Sequence, residues 1–228
     1  MNNSTRIGPG IYLAAGPDLT DPRDAFAYLV EGGNELALID AGAGPSYPRI
    51  IDQIRLAGQD PDRLGMIIAT HAHIDHTGAL ADFSRDYNIS IVAHEEDARA
   101  LETADPVFTA ARSYGLDLKP VEVTLKLRGR VNRLALGESE LVCLHTPGHT
   151  PGSMAVYLDR DGKRYLFGQD IHGPFHASFG SDLAAWRASM KMLIDLQPDV
   201  LCEGHYGIFY GAEKIINFIQ EFLNQYPK

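Results

Sequence analysis

The stretch of residues 66–78 constrains the fold and the chemistry of this chain more than any other. Its first four residues form an apolar run with strand character, and a helix-like segment begins at Thr77. Between them stand three histidines and an aspartate, namely His71, His73, Asp75 and His76. Imidazole nitrogens and carboxylate oxygens are the ligands that suit zinc, iron or manganese. Because the four side chains occupy alternating and adjacent positions, they can point two ways, and the stretch predicts a place for two neighbouring metal ions.

Length and charge set the class of protein. The 228 residues, 45% of them hydrophobic, are enough for one large domain with its own core. The formal net charge of -10 argues against binding to a nucleic-acid backbone, which requires a basic stripe, and against an anionic membrane surface. The expected partner is therefore a small-molecule substrate, with neither nucleic acid nor membrane.

Targeting signals and cysteines indicate the compartment. Residues 1–10 contain no apolar core of a secretory signal, and no apolar run reaches the roughly 18 residues of a membrane span. The two cysteines, Cys143 and Cys202, each lie inside an apolar segment that is typical of a strand. Buried free thiols in a reducing cytoplasm are the favoured interpretation, so we expect a cytoplasmic protein.

The order of predicted elements indicates a mixed α/β fold. Strands are followed by a helix, a strand and a helix, and the same sequence of elements then repeats. We expect one domain over residues 1–228, built from two similar halves that meet near residues 120–130. Helices are predicted over 47–57, 77–87, 95–103, 107–114, 183–196 and 212–223.

Three further candidate ligands each follow an apolar strand. His149 lies in the Gly- and Pro-rich segment 146–153, Asp170 ends the run that starts at Tyr165, and His205 follows residues 200–204. Strand ends on one rim of a sheet can converge although their residues are far apart in sequence. Seven candidate ligands could therefore meet in one place.

This set of motifs resembles the metallo-β-lactamase superfamily, in its dinuclear hydrolase branch with the glyoxalase-II-like and lactonase-like enzymes. The resemblance rests on His71-x-His73-x-Asp75-His76 followed by His149, Asp170 and His205, and on the segments 40–42 and 146–153. It spans most of the chain. It implies an α/β fold of the four-layer αβ/βα sandwich type, with the site at one edge.

The resemblance also implies a role for each residue. His71, His73 and His149 would hold the first metal ion, and Asp75, His76 and His205 the second. Asp170 would bridge the two ions together with a hydroxide, the nucleophile, while Asp75 would have the catalytic task of orienting it or assisting the leaving group. Asp40 would fix a ligand histidine by a hydrogen bond. Two divalent ions per chain are expected, with zinc as the first expectation and iron or manganese as alternatives.

Departures from known branches narrow the expected reaction. The glyoxalase-II-like thioesterases carry a basic C-terminal helical region for glutathione, which is not found after Gly207, so glutathione thioesters are not expected. The lactonases place a tyrosine three residues after the bridging aspartate, where this chain has Gly173. True β-lactamases of the superfamily lack an aspartate at the position of Asp170. The prediction is a hydrolase of a small ester, lactone or thioester.

Members of other functional classes are the alternatives. Persulfide dioxygenases use a single iron bound at the positions of His71, His149 and Asp170, and they are the main alternative. Flavodiiron proteins have a glutamate where this chain has His73, and the nuclease branch conflicts with the net charge. A binding module without catalysis would have lost one of the seven ligands.

Three residues near the ligands are candidates for substrate contact. His172 and His176 flank a short loop directly after Asp170, and Tyr206 follows His205, where it could donate a hydrogen bond to an oxyanion. Of the other two histidines, His94 is interpreted as a surface residue or as a hydrogen-bond partner of a ligand, and His145 as a structural residue.

Overall fold

The structure is a computed structural model that describes residues 5–227, so the first four residues of the N-terminal segment lie outside the described residues. The strands are β1 Arg6–Gly8, β2 Ile11–Ala15, β3 Ala27–Gly32, β4 Glu35–Ile39, β5 Leu64–Ile68, β6 Ser90–His94, β7 Leu125–Leu127, β8 Val131–Leu136, β9 Ser139–His145, β10 Met154–Arg160, β11 Lys163–Gln169, β12 Val200–Glu203 and β13 Ile208–Tyr210. The helices are α1 Tyr47–Leu56, α2 Ile74–Thr77, α3 Leu80–Asp86, α4 Glu95–Thr103, α5 Ala111–Tyr114, α6 Leu183–Asp195 and α7 Ala212–Gln225. Two short 3₁₀ turns, Pro61–Arg63 and Ala177–Phe179, complete the elements.

Two sheets divide the chain between them. The first has the strand order β1-β2-β3-β4-β5-β6-β7 and the second the order β13-β12-β11-β10-β9-β8. Strands β4 to β7 run parallel to one another, as do β11 and β12, whereas the other pairs are antiparallel. Because parallel strands end at the same edge, the residues that follow β4 and β5, and those that follow β11 and β12, are delivered to a common rim of each sheet.

The helices cover the outer faces of the sheets because their apolar residues recur at helical spacing. In α7 the buried residues are Ile215, Phe218, Ile219 and Phe222, which is one stripe along the helix. Helix α6 begins at Asp182, whose side chain accepts hydrogen bonds from the backbone N–H groups of Ala184 and Ala185 and so caps the first turn.

Three apolar cores lie between these layers. One packs α1, α3 and α4 on the first sheet, one fills the space between the two sheets, and one packs α6 and α7 on the second sheet. Burial in this pattern requires helix, sheet, sheet and helix in succession. The predicted four-layer αβ/βα sandwich is therefore confirmed.

The segment before α5 departs from the prediction of a helix over 107–114. Only Ala111–Tyr114 is helical. The Asp105 carboxylate accepts hydrogen bonds from the N–H groups of Val107 and Phe108, and Ala110 adopts a left-handed conformation with φ of 57°. An aspartate that binds the backbone N–H groups two and three residues ahead makes a turn and competes with the helix. The spacing of apolar residues, on which the helix prediction rested, does not reveal this competition between turn and helix.

Both cysteines match the interpretation as buried free thiols. Cys143 and Cys202 are buried and free. Within residues 5–227, no helix combines the length and the apolar character that crossing a membrane requires.

Candidate metal centre

The loop after β5 presents the first candidate ligands. Strand β5 ends at Ile68, and after a turn the short helix α2 begins, with His73 at its N-cap. The Thr77 hydroxyl donates to the His73 carbonyl at 2.8 Å, and the Gly78 N–H donates to the Gly42 carbonyl at 2.8 Å. These bonds hold the loop against the residues that follow β4. The loop geometry is thus fixed by backbone contacts, which leaves the imidazoles free to point into one cavity.

Four side chains form the first candidate ligand group: His71, His73, His149 and Asp170. All four are buried. The His149 Nε2 atom lies 3.0 Å from His73 Nδ1, and Asp170 Oδ2 lies 3.4 Å from His149 Nε2 and 3.8 Å from His71 Nε2. Their nitrogens and this oxygen therefore converge from three separate chain segments.

Three side chains form the second group: Asp75, His76 and His205. Asp75 Oδ2 lies 3.6 Å from His76 Nε2 and 3.3 Å from His205 Nε2. Asp170 Oδ1 lies 3.1 Å from His76 Nε2 and 3.2 Å from His205 Nε2. The two oxygens of Asp170 therefore face the two groups, one oxygen each. All seven ligands predicted from the sequence are brought together here.

The backbone on either side of Asp170 is shaped for this position. Gln169 has a positive φ of 49°, and its side chain accepts a hydrogen bond from the Asp170 N–H at 2.7 Å. A side chain at Gly204 is impossible, since a Cβ there would lie 2.6 Å from Asp170 Oδ1. Left-handed backbone at a non-glycine residue costs of order 1–3 kcal/mol and persists where the surroundings enforce it. It is found here directly before the residue that joins the two groups.

Hydrogen bonds on the outer nitrogens set which imidazole nitrogen faces inward. His76 Nδ1 lies 2.7 Å from Asp40 Oδ2, and His149 Nδ1 lies 2.9 Å from the Pro174 carbonyl oxygen. These acceptors require a proton on Nδ1, so each imidazole, in its neutral form, presents the lone pair of Nε2 to the site. Asp40 also accepts hydrogen bonds from Thr70 N and Thr70 Oγ1, both at 2.8 Å. The hydrogen bond from Asp40 to a histidine of the site, expected from the sequence, is present.

The site fits a bound cation. Among the residues that the structure describes, the buried atoms His71 Nε2, His76 Nε2 and Asp170 Oδ1 have no hydrogen-bond partner. A buried polar atom without a partner costs about 1–3 kcal/mol. Nitrogen and carboxylate donors that converge on a common point remove this cost when they coordinate a metal ion. The chemistry of this donor set is therefore that of a divalent metal centre.

The two groups differ in protonation. Burial, together with the neighbouring histidines, lowers the pKa of His71 well below 6.5 and that of His73 to about 3. Burial also tends to lower the pKa of His76, but Asp170, Asp75 and Asp40 outweigh it and raise the pKa well above 6.5. The pKa of His205 is raised to about 10, because Asp170 and Asp75 outweigh burial. Without a bound cation, the first group therefore favours neutral imidazoles, whereas the carboxylates around the second group favour the protonated form of its histidines.

Tyr114 is a site residue that the sequence did not reveal. Its hydroxyl donates a hydrogen bond to Asp75 Oδ2 at 2.9 Å, and its side chain lines the cavity of about 360 Å³ that also contains Asp75, Asp170 and His205. Burial and the Asp75 carboxylate raise the pKa of Tyr114, so the hydroxyl keeps its proton and stays a donor. Nothing in the spacing of the motifs pointed to a tyrosine 39 positions beyond its partner.

Asp97 is a second residue that the sequence did not reveal, and its side chain links two of the loops that carry candidate ligands. Its carboxylate accepts hydrogen bonds from Ala72 N at 3.0 Å, Thr150 Oγ1 at 2.7 Å and Gly152 N at 2.7 Å. Ala72 lies between His71 and His73, and the other two donors follow His149 in the chain. Burial, which outweighs these hydrogen bonds, raises the pKa of Asp97 to about 6. Asp97 thereby sets the distance between the loops of the first group.

The three predicted substrate-contact residues lie in different surroundings. His172 lines the cavity beside the ligands, and its Nδ1 lies 3.0 Å from Oε1 of the buried Glu203. His176 is exposed and caps the 3₁₀ turn through Ser178 N. Tyr206 is 56% exposed and packs against His172 and the α7 residues Phe218 and Phe222.

His94 and His145 form a pair outside the metal centre. Their rings are stacked, 3.8 Å apart with 9° between the planes, and His145 Nε2 donates to the Pro151 carbonyl at 2.7 Å. His94 ends β6 and His145 ends β9, so the stack joins the two sheets. One ligand atom each of His94, Glu96 and His145 lies within 4.8 Å of the other two. The stacked pair packs the end of β6 against the end of β9.

Comparison with known proteins identifies the class. The model of the metallo-beta-lactamase superfamily matches residues 20–205, which include every candidate ligand. The chain therefore belongs to the metallo-beta-lactamase superfamily. It is a metal-dependent hydrolase, as its relatives and the donor set of the site together indicate.

Individual relatives are similar over nearly the whole chain. An acyl-coenzyme A thioesterase from Homo sapiens is 27% identical over 96% of this chain and 86% of its own length. The corresponding thioesterase from Gallus gallus is 26% identical, covering 96% and 85%. A probable metallo-hydrolase from Bacillus subtilis is 26% identical, covering 97% and 95%.

Solved structures share the fold. A metallo-beta-lactamase variant from Cronobacter sakazakii superposes with a TM-score of 0.83 at 20% identity, over 99% of this chain and 95% of that one. A metallo-beta-lactamase from Elizabethkingia meningoseptica gives 0.80 at 22% identity, over 98% and 92%. At these identities the likeness concerns the fold alone.

Proposed function

We propose that the chain hydrolyses acyl thioesters at a centre of two divalent metal ions. His71, His73 and His149 would hold one ion, Asp75, His76 and His205 would hold the other, and Asp170 would offer one carboxylate oxygen to each. The observation that carries the proposal is the carboxylate of Asp170, whose two oxygens face the two ligand groups at 3.1–3.8 Å. Zinc is the proposed metal, with iron and manganese as the alternatives.

Three residues beside the metal centre have separate roles in the proposed reaction. When bound, two cations that share a water lower the pKa of that water and polarise an acyl carbonyl. Asp75 accepts a hydrogen bond from the attacking water and orients it toward the carbonyl carbon. Tyr114 holds the Asp75 carboxylate in place through its bond at 2.9 Å. His172, held by Glu203, is placed where it can contact the substrate.

A thioester is favoured among the three substrate types expected from the sequence. The human and chicken relatives are named as acyl-coenzyme A thioesterases and match nearly the whole of this chain. A thiolate is a good leaving group and needs little proton donation. The described cavity accordingly offers no lysine and no arginine beside the ligands to protonate it.

Two measurements on the purified protein test the proposal. Elemental analysis should give two divalent ions per chain, and a panel of acyl-coenzyme A thioesters should be hydrolysed with release of free thiol. The equivalent esters and lactones serve as comparison substrates and should react more slowly. One iron per chain, with sulfite formed from glutathione persulfide and oxygen, would instead identify a mononuclear persulfide dioxygenase.

A further inference from the structure

A second cavity adjoins the metal centre. It has a volume of about 470 Å³ and lies between two segments, residues 106–113 and residues 174–179. This volume falls within the range of about 300–1,000 Å³ that is usual for small-molecule sites. We call it the side groove.

The side groove is continuous with the cavity of the metal centre. Ser113, Pro174 and Phe179 line both. The Phe179 ring lies 4.4 Å from the His73 ring, and the Pro174 carbonyl is the partner of His149 Nδ1 at 2.9 Å. The wall of the groove is therefore attached to two of the candidate ligands. A group bonded to a carbonyl carbon at the metal centre would extend directly into it.

The walls of the groove are largely apolar. Val107 is 43% exposed, and Phe175 and Phe179 each present part of a ring. The groove shape is held by contacts behind it, since the Phe175 ring packs on Trp186 at 4.9 Å. An alkyl chain that enters gains about 0.8 kcal/mol per buried methylene at most.

Arg112, a cationic residue, lines the side groove. Arg112 is exposed, and within residues 5–227 no carboxylate lies within ion-pair distance of its side chain. In a chain with a net charge of -10, an arginine without an acidic partner beside an apolar groove matches a substrate that is both apolar and anionic.

We propose that the side groove binds the acyl chain of the substrate and that Arg112 binds an anionic group of the same molecule. This rests on the proposed hydrolysis of acyl thioesters and specifies it: the preferred substrate has an alkyl chain of several methylenes. The anionic group is a carboxylate or a phosphate. It belongs either to the far end of the acyl chain or to the thiol leaving group.

A chain-length series tests the groove. The substrates are N-acetylcysteamine thioesters with acetyl, butanoyl, hexanoyl and octanoyl groups, whose leaving group is uncharged. For the unaltered protein we expect kcat/KM to rise about two- to fourfold per methylene. Val107→Asp should flatten this rise. The control Val131→Asp alters a valine that is 53% exposed on β8 and should keep the full slope.

Binding without turnover provides a second readout. S-octyl-coenzyme A and S-ethyl-coenzyme A are thioethers that cannot be hydrolysed. The octyl compound should bind the metal-loaded protein at least about tenfold more tightly. Trp186 is the single tryptophan of the chain and contacts Phe175, so its fluorescence should change on binding of the octyl compound. Val107→Asp should remove the tenfold difference.

The two proposals fail in different ways. Hydrolysis of all four thioesters at equal kcat/KM would overturn the groove and leave the thioesterase function standing. Absence of hydrolysis, combined with tighter binding of the octyl thioether that Val107→Asp abolishes, would overturn the function and keep the groove. Equal binding of both thioethers contradicts the groove directly.

A further pair of variants tests Arg112. If the anionic group belongs to the leaving group, Arg112→Gln should raise KM about tenfold for octanoyl-coenzyme A. If it belongs to the acyl chain, the same variant should raise KM about tenfold for the N-acetylcysteamine monothioester of octanedioic acid. The neutral octanoyl-N-acetylcysteamine should be unaffected. Arg99→Gln, on the exposed side of α4, is the matched control. An unchanged KM for both anionic substrates would overturn the role of Arg112.

Discussion

The two candidate ligand groups consist of the same residue types, yet their electrostatics are opposite. In the first group, burial and adjacent imidazoles lower the pKa values of His71, His73 and His149, so lone pairs are available at neutral pH. In the second group, carboxylates outweigh burial and raise the pKa values of His76 and His205. A cation that binds the second group must displace protons, whereas a cation that binds the first does not.

The difference follows from where the carboxylates lie. Asp75 and Asp40 both contact His76, and Asp170 Oδ1 approaches it to 3.1 Å. The first group faces only Asp170 Oδ2, at 3.4 Å or more. One group is therefore rich in negative charge and the other is rich in nitrogen. Variants that alter one group and leave the other intact therefore separate the contributions of the two groups to metal binding and to activity.

The largest effect is expected for Asp170→Asn, because this carboxylate serves both groups. An amide cannot bring an anionic oxygen to each side, so we expect loss of at least one bound ion and a fall in kcat/KM of about 1,000-fold, roughly 4 kcal/mol. Elemental analysis and thioester kinetics measure both. The control Asp52→Asn alters an exposed carboxylate on α1. An Asp170→Asn protein with two ions and full activity would contradict the bridging role.

Asp75→Ala and His71→Ala distinguish the two groups. Asp75→Ala should leave the first group intact, so the variant should fold, keep about one tightly bound ion and lose about 100-fold or more in activity, roughly 3 kcal/mol. His71→Ala should weaken the first group and lower the thermal unfolding temperature more, because a bound metal stabilises the folded state. Metal analysis, circular dichroism and kinetics provide the comparison. Two ions and full activity in Asp75→Ala would show that the assignment of Asp75 is wrong.

Asp40→Asn tests the support of the second group. Asp40 holds His76 Nδ1 at 2.7 Å, and partners of this kind contribute about 10- to 100-fold to metal affinity. We expect a loss of that size at one of two ions, measured by competition with a chelator. The first group should keep its ion. Asp60→Asn, which alters the cap of a distant 3₁₀ turn, should change neither affinity. Equal weakening of both ions would mean that Asp40 acts through the whole loop rather than through His76.

Tyr114→Phe removes a single hydroxyl at the second group. The lost hydrogen bond to the Asp75 carboxylate should lower kcat about tenfold, with KM and metal content unchanged. A matched control is Tyr87→Phe, since Tyr87 packs on Phe83 away from the ligands. A change in KM alone would indicate that Tyr114 contacts the substrate and does not position Asp75.

The ligands and the fold could be predicted from the sequence because both have local signals. Each of the seven candidate ligands lies in a loop or short helix that follows an apolar strand, and strand ends are visible as changes from apolar to polar residues. The parallel strands then deliver them to one rim, as β4 with β5 and β11 with β12 do.

Tyr114, Asp97 and the side groove could not be predicted in this way. The segment that carries Tyr114 departs from its helical periodicity at Asp105 and Ala110, so the direction of the tyrosine depends on local turns. Asp97 lies within an acidic first turn of α4, which is typical of a helix start and gave no sign of a buried carboxylate. Burial of a polar group depends on which surfaces the fold brings together, and that is set by tertiary packing.

The smallest effect concerns the stacked His94–His145 pair, which lies outside the seven candidate ligands. Burial, with a contribution from His145, lowers the pKa of His94 below its value of about 6.5 in the unfolded chain. The unfolded state therefore takes up a proton more readily, and the contribution of His94 to stability is present above pH 6.5 and is lost as the pH falls through the folded pKa. Buried ligand histidines such as His71 add to the same slope.

Comparison of His94→Gln with the unaltered chain isolates this contribution. In chelator-treated protein, urea unfolding at pH 7.5 and pH 5.5 should show a smaller loss of stability on acidification for the variant, by less than about 1.4 kcal/mol per pH unit. The metal content at neutral pH should equal that of the unaltered protein, because His94 is not one of the seven candidate ligands of the metal centre. An unchanged slope would mean that His94 keeps its ordinary pKa. A variant lacking one ion would show that the pair supports the metal centre and that the contrast between packing histidines and ligand histidines does not hold.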